Sequence, residues 1–212
     1  MASFFVVFEG LDGSGKGEML CRLQHYLFCK DRRFRVLATR EPTYGTYGLK
    51  IRELLQKDAD PLRNAEVLLG LYVRDRKEHL AAVIEPFLSS AKGDDVNIVL
   101  CDRYYHSTIA FQTSQGIAMQ KTIDANSRFR KPDLTLILDV PSGIALQRIE
   151  RSRSGKEKFE QKEFMEQLRK HYLMLKEKLA ENIVIIDASP EKDTVFAFVQ
   201  KEADKALAGI TA

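Results

Sequence analysis

Cysteine is scarce in this chain, and the little there is has no metal or redox spacing. Cys21, Cys29 and Cys101 are the three in 212 residues. None sits in a C-x-x-C or zinc-type pattern, and two of them fall in apolar stretches that read as core. A disulfide scaffold is thereby excluded, and a reducing, cytoplasmic setting is expected. No apolar run reaches the roughly 18 residues of a membrane-spanning helix. The N-terminus lacks the basic n-region and long apolar h-region of a signal peptide. Charge of one sign is not in excess either: 33 Lys and Arg against 30 Asp and Glu leave +3, well interspersed. That argues against a general nucleic-acid binder while leaving room for a locally cationic cleft. Internal repeats and low-complexity tracts are absent. With 44% hydrophobic residues, the chain can bury one sizeable core, and a single soluble domain over residues 1–212 is expected.

Five short apolar runs stand out: Phe4 to Phe8, Arg35 to Ala38, Asn97 to Cys101, Leu134 to Leu138 and Ile183 to Ile186. Near-continuous hydrophobicity marks strands buried on both faces, as in a parallel sheet. Helical spacing lies between them. Leu20, Leu23, Leu27 and Phe28 mark one apolar face, and Phe164, Leu168, Tyr172, Leu175 and Leu179 another. Such β/α alternation predicts a doubly wound α/β sheet whose ligands sit beyond the carboxyl ends of the strands. The charge-dense segment Arg148 to Lys158 is expected to be an exposed, mobile loop.

The first strand runs into Gly10-Leu11-Asp12-Gly13-Ser14-Gly15-Lys16, with a helical pattern from Glu18. This is the G-x-x-x-x-G-K core of a phosphate-binding loop, in the strand, turn, helix context its chemistry demands. Backbone N–H groups and a helix N-terminus cradle phosphate, and Lys16 brings a mobile charge to it. One position departs from the motif: Gly17 stands where a Ser or Thr hydroxyl ordinarily ligates Mg²⁺. Glu18 and Asp102 are the nearest candidate carboxylates for the metal, although Glu18 also fits the plain role of an acidic residue at a helix N-terminus.

Further segments fall at strand ends or on the helices between them. Thr39-Arg40-Glu41-Pro42 follows the second strand, Asp75 to His79 lies in a helical run, Asp102 to Gln112 follows the third strand, and Pro132 to Val140 spans the fourth. Together with Phe8 to Lys16, and in this order, they resemble the thymidylate kinase family from Phe8 to Asp187. The resemblance implies a P-loop kinase fold: a five-stranded parallel sheet of order 2-3-1-4-5 flanked by helices, with a lid at about residues 148–158. It also implies transfer of a phosphoryl group from ATP, with Mg²⁺, to a deoxynucleoside monophosphate, dTMP first among them, by a homodimer that needs neither nucleic acid nor membrane.

Roles follow from the resemblance position by position. ATP is expected on Gly10, Leu11, Asp12, Gly13, Ser14, Gly15, Lys16, Gly17 and Glu18, with Arg148 at the start of the lid. Arg40 and Arg103 are expected on the acceptor phosphate, as suits a guanidinium fork. Asp12 would take the 3′-hydroxyl, Arg76 and Gln112 the thymine edge, Tyr72 its face, and Phe111 the space a 2′-hydroxyl needs. Asp102 would position the metal. The loop holds Ser14 where some relatives carry a catalytic arginine, so Arg151 and Arg153 of the lid are expected to supply transition-state charge. His25, His106 and His171 carry no argument, and His79 reads as a packing residue.

Alternatives remain at this level. Tyr72 also fits a core position, and Arg74, Arg76 and Lys77 a solvated charged face. Thr43-Tyr44-Gly45 replaces the usual G-G-T and adds bulk near the acceptor phosphate, which leaves another pyrimidine monophosphate open. Loss of the loop hydroxyl leaves open a nucleotide-binding regulatory protein. No N-K-x-D-type segment supports a GTPase.

Overall fold

The computed structural model describes residues 2–57, 63–152 and 162–211. Five strands, β1 (Ala2–Gly10), β2 (Phe34–Arg40), β3 (Val96–Asp102), β4 (Leu134–Asp139) and β5 (Ile183–Asp187), pair in parallel in the order β2-β3-β1-β4-β5. The expected topology is therefore the observed one. Each strand is longer than its apolar run, because ladder pairing continues into the polar residues at its ends: Thr39 pairs with Cys101 and Arg40 with Asp102.

β1 lies at the centre and explains itself. Phe4, Phe5, Val6, Val7 and Phe8 are all within 1% of complete burial, because both faces of the sheet are covered. Alternation sends Phe4, Val6 and Phe8 to one layer and Phe5 and Val7 to the other. Each such side chain contributes roughly 1.5–3 kcal/mol by leaving water. The first layer packs on α1 (Lys16–Lys30) and α9 (Lys192–Thr211), the second on α5 (Tyr105–Ser114), α7 (Ser142–Ser152) and α8 (Lys162–Lys178). Between β2 and β3 the chain forms α2 (Thr46–Lys57), α3 (Ala65–His79), a π-helical turn (Leu80–Ile84) and α4 (Glu85–Ser89); α6 (Met119–Asn126) precedes β4.

Three expectations are corrected. Phe28 is 73% exposed and not part of the α1 face, which is Met19, Leu20, Leu23 and Leu27. One step beyond Leu27, it turns about 100° away from the sheet. Of the cysteines only Cys101 is core; Cys21 and Cys29 lie exposed on α1. The expected loop from Arg148 begins as helix, since α7 runs through Ser152 with Ala145 and Ile149 buried one turn apart. Residues 153–158 lie outside the described residues. At the strand ends, β1 has β3 on one side and β4 on the other, and this divergence opens the crevice in which α/β sheets hold ligands.

Candidate active site

The phosphate loop bends where only glycine fits. A Cβ on Gly10 (φ +130) would stand 2.4 Å from the Leu138 carbonyl oxygen, and one on Gly13 (φ +78) 2.4 Å from that of Ala145. Either contact would push the loop off β4 or α7. Helix α1 begins at Lys16, two residues earlier than its pattern suggests. The buried Lys16 ammonium donates to the carbonyls of Gly10 (3.1 Å) and Leu11 (2.9 Å). Burial, then the neighbouring Arg103 charge, push its pKa down to about 8, against the pull of Asp12, Asp102 and Glu9.

A cleft of about 760 Å³ opens over this loop. Its walls bring together, from five elements and their ends, Gly13 to Glu18, Asp12, Arg40, Asp102, Arg103, Arg148 and Arg151. Arg153 lies outside the described residues. Arg148 is braced by donating to the carbonyls of Ala188 (2.9 Å) and Ser189 (3.2 Å), which turns the β5–α9 connection, Ser189 to Lys192, into the outer wall. Nothing in the sequence motifs pointed to that connection. Glu18 accepts from Arg22 at 2.8 Å and faces Lys192 at 3.9 Å. Among the described residues, Asp102 Oδ1 is buried without a hydrogen-bond partner.

Arg103 is the most constrained of these side chains. Its backbone is left-handed, φ 71, and its N–H donates to the Phe8 carbonyl at 2.9 Å. One guanidinium nitrogen donates to Asp12 (2.7 Å), the other to Ser107 Oγ (3.0 Å), Tyr172 Oη (2.9 Å) and the Gly10 carbonyl (3.2 Å). Behind it stands Glu9, wholly buried at the end of β1. Glu9 accepts from the backbone N–H groups of Tyr104 (2.7 Å) and Ser107 (3.1 Å) and from Ser107 Oγ (2.5 Å). Glu9 lies in the first motif but carried no assigned role, and Tyr172 gave no signal beyond helical spacing.

Tyr72 of α3 is half-buried, and burial pushes its phenol up to about 12 despite Arg103 and Arg76 nearby. Arg76 is fully enclosed. Nε and Nη2 meet Glu41, at 2.9 and 2.8 Å, Nη1 donates to Asn126 (2.6 Å) and Nη2 also to Thr108 (3.0 Å), with Tyr104 and Phe129 rings at 5.1 and 5.6 Å. Arg76 is therefore not part of a solvated face, whereas Arg74 and Lys77 are exposed. Glu41 also binds His79 Nδ1 (3.1 Å), whose Nε2 meets Thr39 Oγ1 (2.7 Å), so His79 packs as expected. Gln112 is buried, with Nε2 on Gln115 (3.1 Å) and Oε1 without a partner among the described residues. Phe111 is half-buried, edge-on to Phe164 at 5.4 Å between centroids.

The segment Thr43-Tyr44-Gly45 is held by Asp75. Its carboxylate accepts from Thr43 N (2.8 Å) and Oγ1 (2.6 Å), and Gly48 leaves the room, since a Cβ there would lie 2.0 Å from the Thr43 carbonyl oxygen. Tyr44 itself is 69% exposed, with the Arg52 guanidinium 4.7 Å from its ring centroid. The added bulk of Tyr44 therefore stands in solvent and is not among the residues that line the cleft.

Comparison with known proteins agrees with this geometry. The sequence profile described as thymidylate kinase matches residues 8–199. A thymidylate kinase of Caldicellulosiruptor saccharolyticus is 36% identical over 213 aligned positions, 98% of each chain. A probable thymidylate kinase of Pyrobaculum aerophilum is 38% identical over 92% of this chain and 93% of its own, and a thymidylate kinase of Desulfotalea psychrophila 39% identical over 77% of each.

Proposed function

Because the chain belongs to the thymidylate kinase family, we infer that it transfers the γ-phosphoryl group of ATP to dTMP, giving ADP and dTDP. The observation that carries this reading is the single cleft in which a buried lysine at a phosphate loop, Lys16, faces two further cations at strand ends, Arg40 and Arg103. Phosphoryl transfer needs alignment and positive charge more than covalent help. The loop and the N-terminus of α1 hold the β-phosphate of ATP, and Lys16 neutralises the oxygens of the group in flight. Arg40 and Arg103 hold the acceptor phosphate in line with it. Asp12 accepts from the sugar 3′-hydroxyl, Tyr72 covers the thymine face, Gln112 and Arg76 lie along its edge, and Phe111 crowds the 2′ position. Arg151 and Arg153 add charge on the donor side, and Arg148 backs the adenine end.

Mg²⁺ fits the carboxylates unequally. Asp102 Oδ1 is a buried acceptor with no partner among the described residues, whereas Glu18 is committed to Arg22 and Gly17 has no side chain. Asp102 is accordingly the residue that would hold the cation, the remaining ligands coming from nucleotide oxygens and water. Bound there, Mg²⁺ supplies charge neutralisation at the β- and γ-phosphates. We place the enzyme in the cytoplasm, acting on free nucleotides as a homodimer; exposed Leu49 on α2 and Val67 on α3 offer the apolar surface a dimer needs.

The test is ADP release with ATP and Mg²⁺ across a panel of monophosphates. dTMP should lead, with dUMP next, because a thymine methyl is worth only about 1–3 kcal/mol. CMP or GMP turned over as well as dTMP would overturn the acceptor assignment. No turnover with any acceptor would favour a nucleotide-binding regulator.

A further inference from the structure

The buried face of α8 is Phe164, Met165, Leu168, Tyr172 and Leu175, and Tyr172 alone among them carries a hydroxyl. Space on such a face is filled as well by an apolar ring, and a phenol that is only 2% exposed needs partners in place of the water it has lost. It has two. Tyr172 Oη lies 2.9 Å from Arg103 Nη1 and 2.9 Å from Ser107 Oγ. Burial pushes the phenol well above its ordinary value, against the pull of the Arg103 charge, so it stays neutral and can both donate and accept.

The directions of these bonds follow from the donor inventory. Arg103 can only donate, so Tyr172 Oη accepts from it. Ser107 Oγ spends its one proton on Glu9, which leaves it to accept from Arg103 and from the phenol. The chain therefore runs from Arg103 to Tyr172 to Ser107 to Glu9. Arg103 has its two terminal nitrogens divided by this arrangement. Nη1 is turned inward, onto Tyr172, Ser107 and the Gly10 carbonyl, whereas Nη2 meets Asp12 alone among the described residues. Arg103 and Asp12 line the cleft, and Tyr172 does not. Nη2 is thus the nitrogen with an N–H left for a ligand.

We propose that Tyr172 is a positioning residue: its hydroxyl fixes Nη1 of Arg103 from behind and so holds Nη2 toward the phosphate of the acceptor. The proposal rests on the reading of Arg103 as a ligand of that phosphate. Removing the hydroxyl takes an acceptor from the guanidinium and a donor from Ser107 at once. The planar fork is then free to turn about its long side chain, and the phosphate loses a ligand set in advance of binding. The base and sugar of the acceptor do not depend on that fork.

The experiment uses the full chain and Tyr172→Phe, which keeps the ring that packs in the core and removes only the oxygen. The KM for dTMP should rise about tenfold while the KM for ATP stays within about twofold. Thymidine, which has the base and sugar of dTMP without the phosphate, is the probe that separates positioning from packing. Its inhibition constant against dTMP should stay within about twofold of the parent value, since Arg103 has nothing to hold in it. Combined with Arg103→Ala, which should itself weaken dTMP, Tyr172→Phe should add nothing further to the KM for dTMP, because the residue it positions is gone. Equal losses for dTMP and thymidine, or a KM for dTMP that Arg103→Ala raises and Tyr172→Phe leaves unchanged, would overturn the proposal. A KM for dTMP left unchanged by Arg103→Ala would remove its premise and overturn it as well. If the parent protein does not phosphorylate dTMP, the proposed function has failed instead, which the parent assay reads separately.

Discussion

Arg103 reaches Asp12 at 2.7 Å from a left-handed backbone, so the end of β3 is tied to the phosphate loop by an ion pair. A non-glycine residue in that conformation costs roughly 1–3 kcal/mol, a strain that persists where the surroundings over-determine it. Here they do: the Arg103 N–H is held by the Phe8 carbonyl, and its guanidinium by four partners from β1, the phosphate loop, α5 and α8. The end of β3 and the phosphate loop thus share one electrostatic unit.

Asp12 should therefore matter to the acceptor twice, through Arg103 and through the sugar. Asp12→Asn is expected to raise the KM for dTMP on the order of tenfold. Steady-state kinetics with 3′-deoxythymidine monophosphate should show a smaller ratio between parent and variant; equal ratios for the two acceptors would mean that Asp12 does not contact the 3′-hydroxyl.

Lys16 makes ATP binding depend on pH with a definite sign. Its pKa is pushed down to about 8, and the phosphates of ATP favour the charged form. Below pH 8 the proton is already in place. Above it, binding must take one up, so affinity should fall as pH rises through about 8, by up to about tenfold per unit. Calorimetry in two buffers of different ionisation enthalpy should find little proton uptake at pH 7 and clear uptake at pH 8.5. Lys16→Ala should lower kcat on the order of 10²–10³ and abolish the uptake.

Gly17→Ser should be accommodated, since a Cβ there meets nothing within 4 Å among the described residues. The hydroxyl adds a ligand for the metal, and removing glycine from the first turn of α1 should add about 0.5 kcal/mol of stability. Turnover at fixed ATP should reach half-maximum at lower Mg²⁺. Glu18→Gln should leave that midpoint where it is, because the carboxylate is already spoken for by Arg22. A midpoint moved by Glu18→Gln and not by Gly17→Ser would reverse this account of the metal.

Arg76→Met tests the buried network around Glu41. It leaves the Glu41 carboxylate, 3% exposed, without its cation. Losing one member of a buried pair costs about 3–5 kcal/mol, which denaturant unfolding should detect as a lowered midpoint at constant slope. A stability within about 1 kcal/mol of the parent would mean that the pair is not formed.

Tyr44→Ala asks what the exposed ring does. Exposed, with the Arg52 guanidinium against it, it should affect the acceptor KM by about threefold and the fold hardly at all. Thermal melts and KM values for dTMP and dUMP check both; a changed preference between the two acceptors would place Tyr44 against the base.

Local chemistry made much of this protein legible in its sequence. Phe4 to Phe8 can only be a strand buried on both sides, Gly10 to Lys16 can only bend as a phosphate loop between strand and helix, and alternation of such units leaves a parallel sheet with its site at the carboxyl ends. These features depend on neighbours along the chain, and so does the departure at Gly17. What tertiary structure decided lies between residues far apart in sequence. Glu9, Ser107, Tyr172 and Arg103 form one relay because β1, α5 and α8 converge. Arg76 is a buried anchor and not a surface charge because Glu41 and Asn126 close over it. His106, silent as a sequence position, acquires two carboxylate neighbours only when the turn before β5 folds back over α5. Whether a charged side chain is solvated or enclosed depends on what other elements bring to it, and periodicity along one element carries no record of that.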